Sequence, residues 1–193
     1  MVGSRGIVGA CPTETVTPRI RKLVLSVHLT FSVGWIGAVA AYLSLDIATA
    51  TSRESATLRA SYLAMELVVR YVIVPLALGA LLSGVAISLG TRWGLFRHYW
   101  VVISLLLTIF ATLVLMSETR TVSRLASLAG DPNTSSVELA ELGNTLVHSV
   151  GGIVILLAIL VLNVYKPRGL TRYGWRRQNE LRAEPGATDA VEG

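Results

Sequence analysis

The sequence predicts an all-α integral membrane protein, an up-down-up-down bundle of four transmembrane helices. Three observations predict it. The first is the spacing of charge. Asp, Glu, Lys and Arg are absent between Lys22 and Asp46, Arg70 and Arg92, Arg97 and Glu118, and Glu141 and Lys166. Each gap spans about 20 residues or slightly more, which is what a helix needs to cross a hydrocarbon layer of about 30 Å. The second is composition. Hydrophobic residues make up 52% of the 193 and charged residues 15%, with a mean hydropathy of +0.60; soluble domains carry about 25% charge. Backbone in lipid must satisfy its own hydrogen bonds, so the apolar stretches are helices rather than open strands.

The third observation is the distribution of basic residues. Arg5, Arg19, Arg21 and Lys22 precede the first gap, and Arg92 and Arg97 separate the second from the third. Lys166, Arg168, Arg172, Arg176, Arg177 and Arg182 follow the fourth. Four crossings put these three regions on one side, where they hold twelve of the seventeen basic residues. The other side holds Arg53, Arg59, Arg70, Arg120 and Arg124, with the acids Glu54, Glu66, Glu118, Asp131, Glu138 and Glu141. By the positive-inside rule both termini are cytoplasmic. The net charge of +5 therefore points to a bilayer as partner rather than nucleic acid, because the positive charge sits beside the apolar segments.

Taken in order, residues 1–19 read as a flexible cytoplasmic tail, and residues 20–175 as the membrane domain. The single Cys11 excludes an internal disulfide. It follows Val8-Gly9-Ala10, loosely like a lipoprotein cleavage box, but no apolar stretch precedes it. The first crossing is expected over 23–45, with Gly34, Gly37, Ala38 and Ala41 at spacings that allow close helix approach. Ala48 to Ser55 reads as a loop. Leu58, Tyr62, Met65 and Val69 then recur at helical spacing, so the second helix begins outside the membrane and crosses over 70–91. Pro75 lies within that crossing and removes a backbone donor. Gly79, Ala80, Ser83 and Gly84 give it a small-residue face.

Gly90-Thr91-Arg92-Trp93-Gly94 makes a tight cytoplasmic turn, with Trp93, Tyr99 and Trp100 at the lipid–water boundary. The third crossing covers 98–117. Gly130-Asp131-Pro132-Asn133 breaks the outer loop, and Ser135-Ser136-Val137-Glu138 has the pattern of a capping box. The fourth helix is expected to start there and run to Tyr165, crossing over 142–165, until Pro167 and Gly169 stop it. Residues 176–193 read as a disordered cytoplasmic tail. The small-residue faces suit packing within one bundle or between two copies of a homo-oligomer. Arg outnumbers Lys fifteen to two, which fits a GC-rich bacterial genome and a bacterial plasma membrane.

Ionisable side chains inside a membrane are the functional candidates. His28 and Trp35 lie seven apart, on one face with Ser32 and Tyr42, and that face should point inward. One reading has His28 and His98 bind a haem b iron from facing helices; the simpler reading has His28 hydrogen-bond a neighbouring helix and His98 sit at the interface. The two histidines differ in depth by a turn or more, which is awkward for a shared haem. A second constellation, His148 with Met65 and Met116, offers imidazole and thioether ligands that suit Cu(I); the simpler reading makes the methionines packing residues. Glu66 and Arg70 are spaced for a helical ion pair. Alternatively Asp46, Glu66, Arg70 and His148 line an outer vestibule for an ion or proton. No phosphate loop, dinucleotide glycine pattern, HExxH or nucleophile elbow occurs in the sequence. Serines and threonines within the helices are expected to bond back to the helix's own carbonyls.

Three stretches resemble a bacterial family of small four-helix membrane proteins of uncharacterised function. They are His28 to Leu45; Trp93-Gly94-Leu95-Phe96-Arg97-His98-Tyr99-Trp100 with Leu106 to Leu115; and Val164-Tyr165-Lys166-Pro167-Arg168-Gly169-Leu170-Thr171-Arg172-Tyr173-Gly174. Members of that family often carry a basic residue near Ser104, where this chain has none. More distantly the first helix resembles those of CopD-type copper-resistance proteins and of the haem-containing membrane protoporphyrinogen oxidases. That likeness implies copper or haem at helix histidines, here His28 and His98. The expected function is that of a non-enzymatic accessory or small transport component, with haem or copper binding as the alternative.

Overall fold

The computed structural model describes residues 18–90, 98–167, 169, 171, 172, 175, 176 and 179. The tail carrying Cys11, the turn around Trp93 and the chain beyond residue 179 lie outside them. The described residues form α1 (Pro18–Thr51), α2 (Ser55–Val68), a π-helical turn (Val69–Ile73), α3 (Val74–Gly90), α4 (Tyr99–Gly130), α5 (Ser136–Glu141) and α6 (Leu146–Tyr165). Four uninterrupted helical stretches are long and apolar enough to cross a membrane: α1, the α2–α3 continuum, α4 and α6. α1 contains the crossing expected over 23–45, and the other three overlap most of theirs: α3 ends at Gly90, α4 opens at Tyr99 and α6 opens at Leu146.

Three helices extend past those gaps. At 1.5 Å per residue, α1 (34 residues) and α4 (32 residues) are each roughly 50 Å long, whereas α6 (20 residues) is roughly 30 Å. The expected loop at Ala48 to Ser55 shrinks to residues 52–54, because α1 continues to Thr51. The segment after Ser117 is likewise helical to Gly130. Its cause is a second apolar stripe, Val122, Ala126 and Ala129, which buries itself with Leu58, Tyr62 and Met65 of α2 and Leu139 of α5. The largest fully buried side chains, Leu58, Met65, Leu139 and Asp46, all lie at this end. Arg59 closes the same end. Its guanidinium donates to the carbonyls of Ala129 (2.6 Å), Asp131 (2.7 Å) and Thr134 (2.6 Å), capping the last turn of α4 and the start of its loop.

The fourth helix does not begin at the capping box. The box itself forms: Ser135 Oγ accepts from the Glu138 N–H (3.2 Å), and Glu138 Oε2 accepts from the Ser135 N–H (2.8 Å). The Ser135 backbone N–H first, and then the Ser135 hydroxyl, hold the Glu138 carboxyl below its ordinary range. The helix they start ends at Glu141, and residues 142–145 are non-helical before α6 opens at Leu146. The break is held from outside. Tyr62 Oη donates to the carbonyls of Leu142 (3.3 Å) and Gly143 (3.2 Å), and Asp46 of α1 takes the N–H of Thr145 (3.1 Å). At the other end, Lys166 takes a left-handed conformation (φ 42°) and Pro167 prevents continuation.

The π-turn sits one residue before Pro75. Proline clashes with the carbonyl four residues back, here that of Tyr71, and the helix relieves it by widening: the Val74 N–H reaches Val69 O, five residues back. The expected Glu66–Arg70 ion pair is not formed; among the described residues the one contact of that kind is between His148 and Glu118.

α1 packs along α3, α2 and α6, and α4 packs along α2, α6 and α3. The small-residue face of α3 is used inside the chain. A Cβ on Gly79 would lie 2.8–2.9 Å from the Phe31 ring, and one on Gly84 would lie 3.1 Å from His28 Cε1. Helix hydroxyls bond back as expected, for example Ser26 to Lys22 O, Ser88 to Gly84 O and Thr112 to Thr108 O.

Candidate functional site: a half-open cavity with one polar end

A cavity of about 440 Å³ lies between α1, the π-turn, α4 and α6. Its walls are apolar: Trp35, Val39, Ile73, Ala111, Val114 and Leu156 among others. The π-turn supplies Val69 and Ile73, so the helix irregularity caused by Pro75 borders the cavity directly. The exposed lining residues Phe110 and Val147 mark its open side, between α4 and α6.

Polar groups gather at one end. Asp46 is fully buried (0% exposed). Its carboxyl oxygens accept from the Thr145 backbone N–H (3.1 Å) and the Thr145 hydroxyl (3.0 Å to each). That hydroxyl has one proton, so when it is given to Asp46, Tyr42 Oη is the donor in the 2.6 Å bond to Thr145 Oγ1. The chain Tyr42 to Thr145 to Asp46 thereby joins α1 to the first turn of α6, where four N–H groups lack helical partners. Across the cavity, Glu118 of α4 lies 3.5 Å from His148 Nε2 of α6. The other rim hydroxyls are spent locally: Ser117 donates to Val114 O and Ser149 to Leu146 O.

The structure divides the residues expected to act. His148 lines the cavity, and Asp46 stands behind Thr145 at its polar end; Glu66 and Arg70 do not line it. Met65 is buried in the α2–α4 core (1% exposed), Met116 is exposed, and neither lines the cavity with His148. Among the described residues no three His, Cys, Asp or Glu side chains come together as metal ligands. His28 faces α3: Nδ1 is 3.0 Å from Ser83 Oγ and the ring edge packs on Gly84. His98 stands just before α4, its ring 6.5 Å from that of Trp100. The inward stripe itself is as expected, with Trp35 and Tyr42 buried.

Two residues were missed. Glu118 ends a charge gap and reads as a boundary residue, although Ala111 and Val114 at seven and four residues before it put all three on one helix face. Thr145 lies in a Gly-Asn-Thr run that carries a turn signal of its own. No family model, curated protein or solved structure matches this chain.

Proposed function

We propose that the chain is an integral membrane protein whose four helices form an up-down-up-down bundle with both termini in the cytoplasm of a bacterial cell. In this reading it is non-enzymatic, a small transport or accessory component that holds a molecule with an apolar body in the cavity. The observation that carries the membrane part is the outward apolar surface. Only 11–17% of each apolar window is buried inside the protein. Leu82, Leu89, Val154, Val161 and Val164 stand exposed along the helices, a surface far larger than soluble proteins leave to water. The positive-inside distribution of Lys and Arg supports the orientation.

The cavity supports the binding part. It is wide, apolar and bounded by a few convergent polar groups, as small-molecule sites are. Its rim hydroxyls donate to carbonyls or to Asp46, and its histidine pairs with a carboxyl, so the arrangement suits holding a molecule better than attacking one.

Alkaline carbonate should leave the chain in the membrane pellet and detergent should release it. Native mass spectrometry of the solubilised protein is expected to retain a small amphiphile, lost in Gly151→Phe. Gly151 lines the cavity, and a Cβ there meets nothing within 4 Å, so the ring enters free space. Release by carbonate would defeat the membrane reading, and bare wild-type protein would defeat the ligand-holding role.

A further inference from the structure

We infer that the cavity takes a lipophilic cation, an inference that rests on the ligand-holding reading above. Two observations lead to it. The first is the direction of the hydrogen bonds at the polar end. Ser117, Ser149, Thr145 and Tyr42 give their protons to protein acceptors. What the rim offers a guest is the Glu118 carboxyl, whose side chain is 22% exposed and has one oxygen 3.5 Å from His148. A second carboxyl, Asp46, lies one hydroxyl behind the rim. Among the described residues no Lys or Arg lines the cavity. An anionic head would find no cation there apart from a protonated His148, and would face both acids.

The second observation is the wall. Trp35, Phe110 and Tyr42 present aromatic rings to the same space. Ring faces attract cations and tolerate apolar bodies, and the attraction grows where water is excluded. An acid at one end, aromatic walls and an open side toward the surface between α4 and α6 suit a guest with delocalised or shielded positive charge. Such a guest partitions into a bilayer first and enters from the side. His148 is the competitor at the rim, because a protonated imidazole there neutralises Glu118.

The probes are tetraphenylphosphonium and tetraphenylborate, ions of the same shape and opposite charge. Calorimetric titration of the full-length protein in a non-ionic detergent is expected to show the phosphonium bound at least about tenfold tighter than the borate, as one unscreened charge contact in a low-dielectric site supplies. Glu118→Gln should erase that preference while weak binding of both ions remains. Gly151→Phe should remove binding of both, with helical circular dichroism unchanged. Equal binding of the two ions to wild type, or tighter borate, would overturn the cation inference and leave the ligand-holding reading standing. No binding of either ion would overturn both. A phosphonium preference that survives Glu118→Gln would overturn the assignment to this acid.

Discussion

Asp46→Ala is expected to destabilise the folded chain by about 3 kcal/mol, measured by reversible denaturation in mixed micelles. The substitution removes the acceptor for both the Thr145 N–H and the Thr145 hydroxyl, in a place with no water to replace it. Hydrogen bonds to a charged group contribute about 1.5–3 kcal/mol, and a buried donor left unpaired costs about 1–3 kcal/mol. Asp46→Asn keeps one acceptor oxygen and should cost roughly half as much. Thr145→Val in the Asp46→Ala background should add little, because the two residues act as one unit and their effects are not additive. Full additivity would mean that Asp46 stabilises something other than the start of α6. The consequence reaches the cavity, since His148, Ser149 and Gly151 all sit in the first two turns that Asp46 holds in place.

Gly79→Val should be at least as damaging, about 3 kcal/mol in the same assay. A Cβ at this position lies 2.8 Å from Phe31 Cδ1 and 2.9 Å from Cγ, so the whole ring must move and not just its tip. Overpacking of this kind costs about 1–3 kcal/mol, and branching adds to it. Phe31→Leu should restore much of the loss. Gly37→Ala provides the contrast. Nothing lies within 4 Å of its Cβ position, so the substitution should be neutral or stabilise by up to about 1 kcal/mol through helix propensity. Equal losses at the two glycines would contradict the close α1–α3 approach, or would place a second copy of the chain against Gly37.

These two sites also mark the limits of the sequence. Charge-free stretches revealed the four long helices because lipid excludes charge over a fixed length, and that rule is local. The capping box and the small face of α3 were legible for the same reason: three or four neighbouring residues carry each signal. The extension of α4 was not, because Val122, Ala126 and Ala129 are interleaved with Arg120, Arg124 and serines and the stripe is narrow. The break before α6 was hidden differently. Asp46 lies 99 residues from Thr145, and no periodicity links them. Glu118 and His148 could be placed at the same end of the bundle from sequence, but whether they face one another depends on helix rotation, which packing decides.

In the proposed orientation four crossings put the Asp46 end outside. Because Cys11 is the only cysteine, Cys11→Ser gives a background free of thiols. Arg53→Cys, in the short connection between α1 and α2, and Arg176→Cys, beyond α6, then report one side each. Right-side-out membrane vesicles treated with a membrane-impermeant maleimide should label residue 53 at once and residue 176 only after permeabilisation. Labelling of 176 and not 53 would invert the orientation and put the cavity's polar end in the cytoplasm. Labelling of both in sealed vesicles would contradict the four crossings themselves.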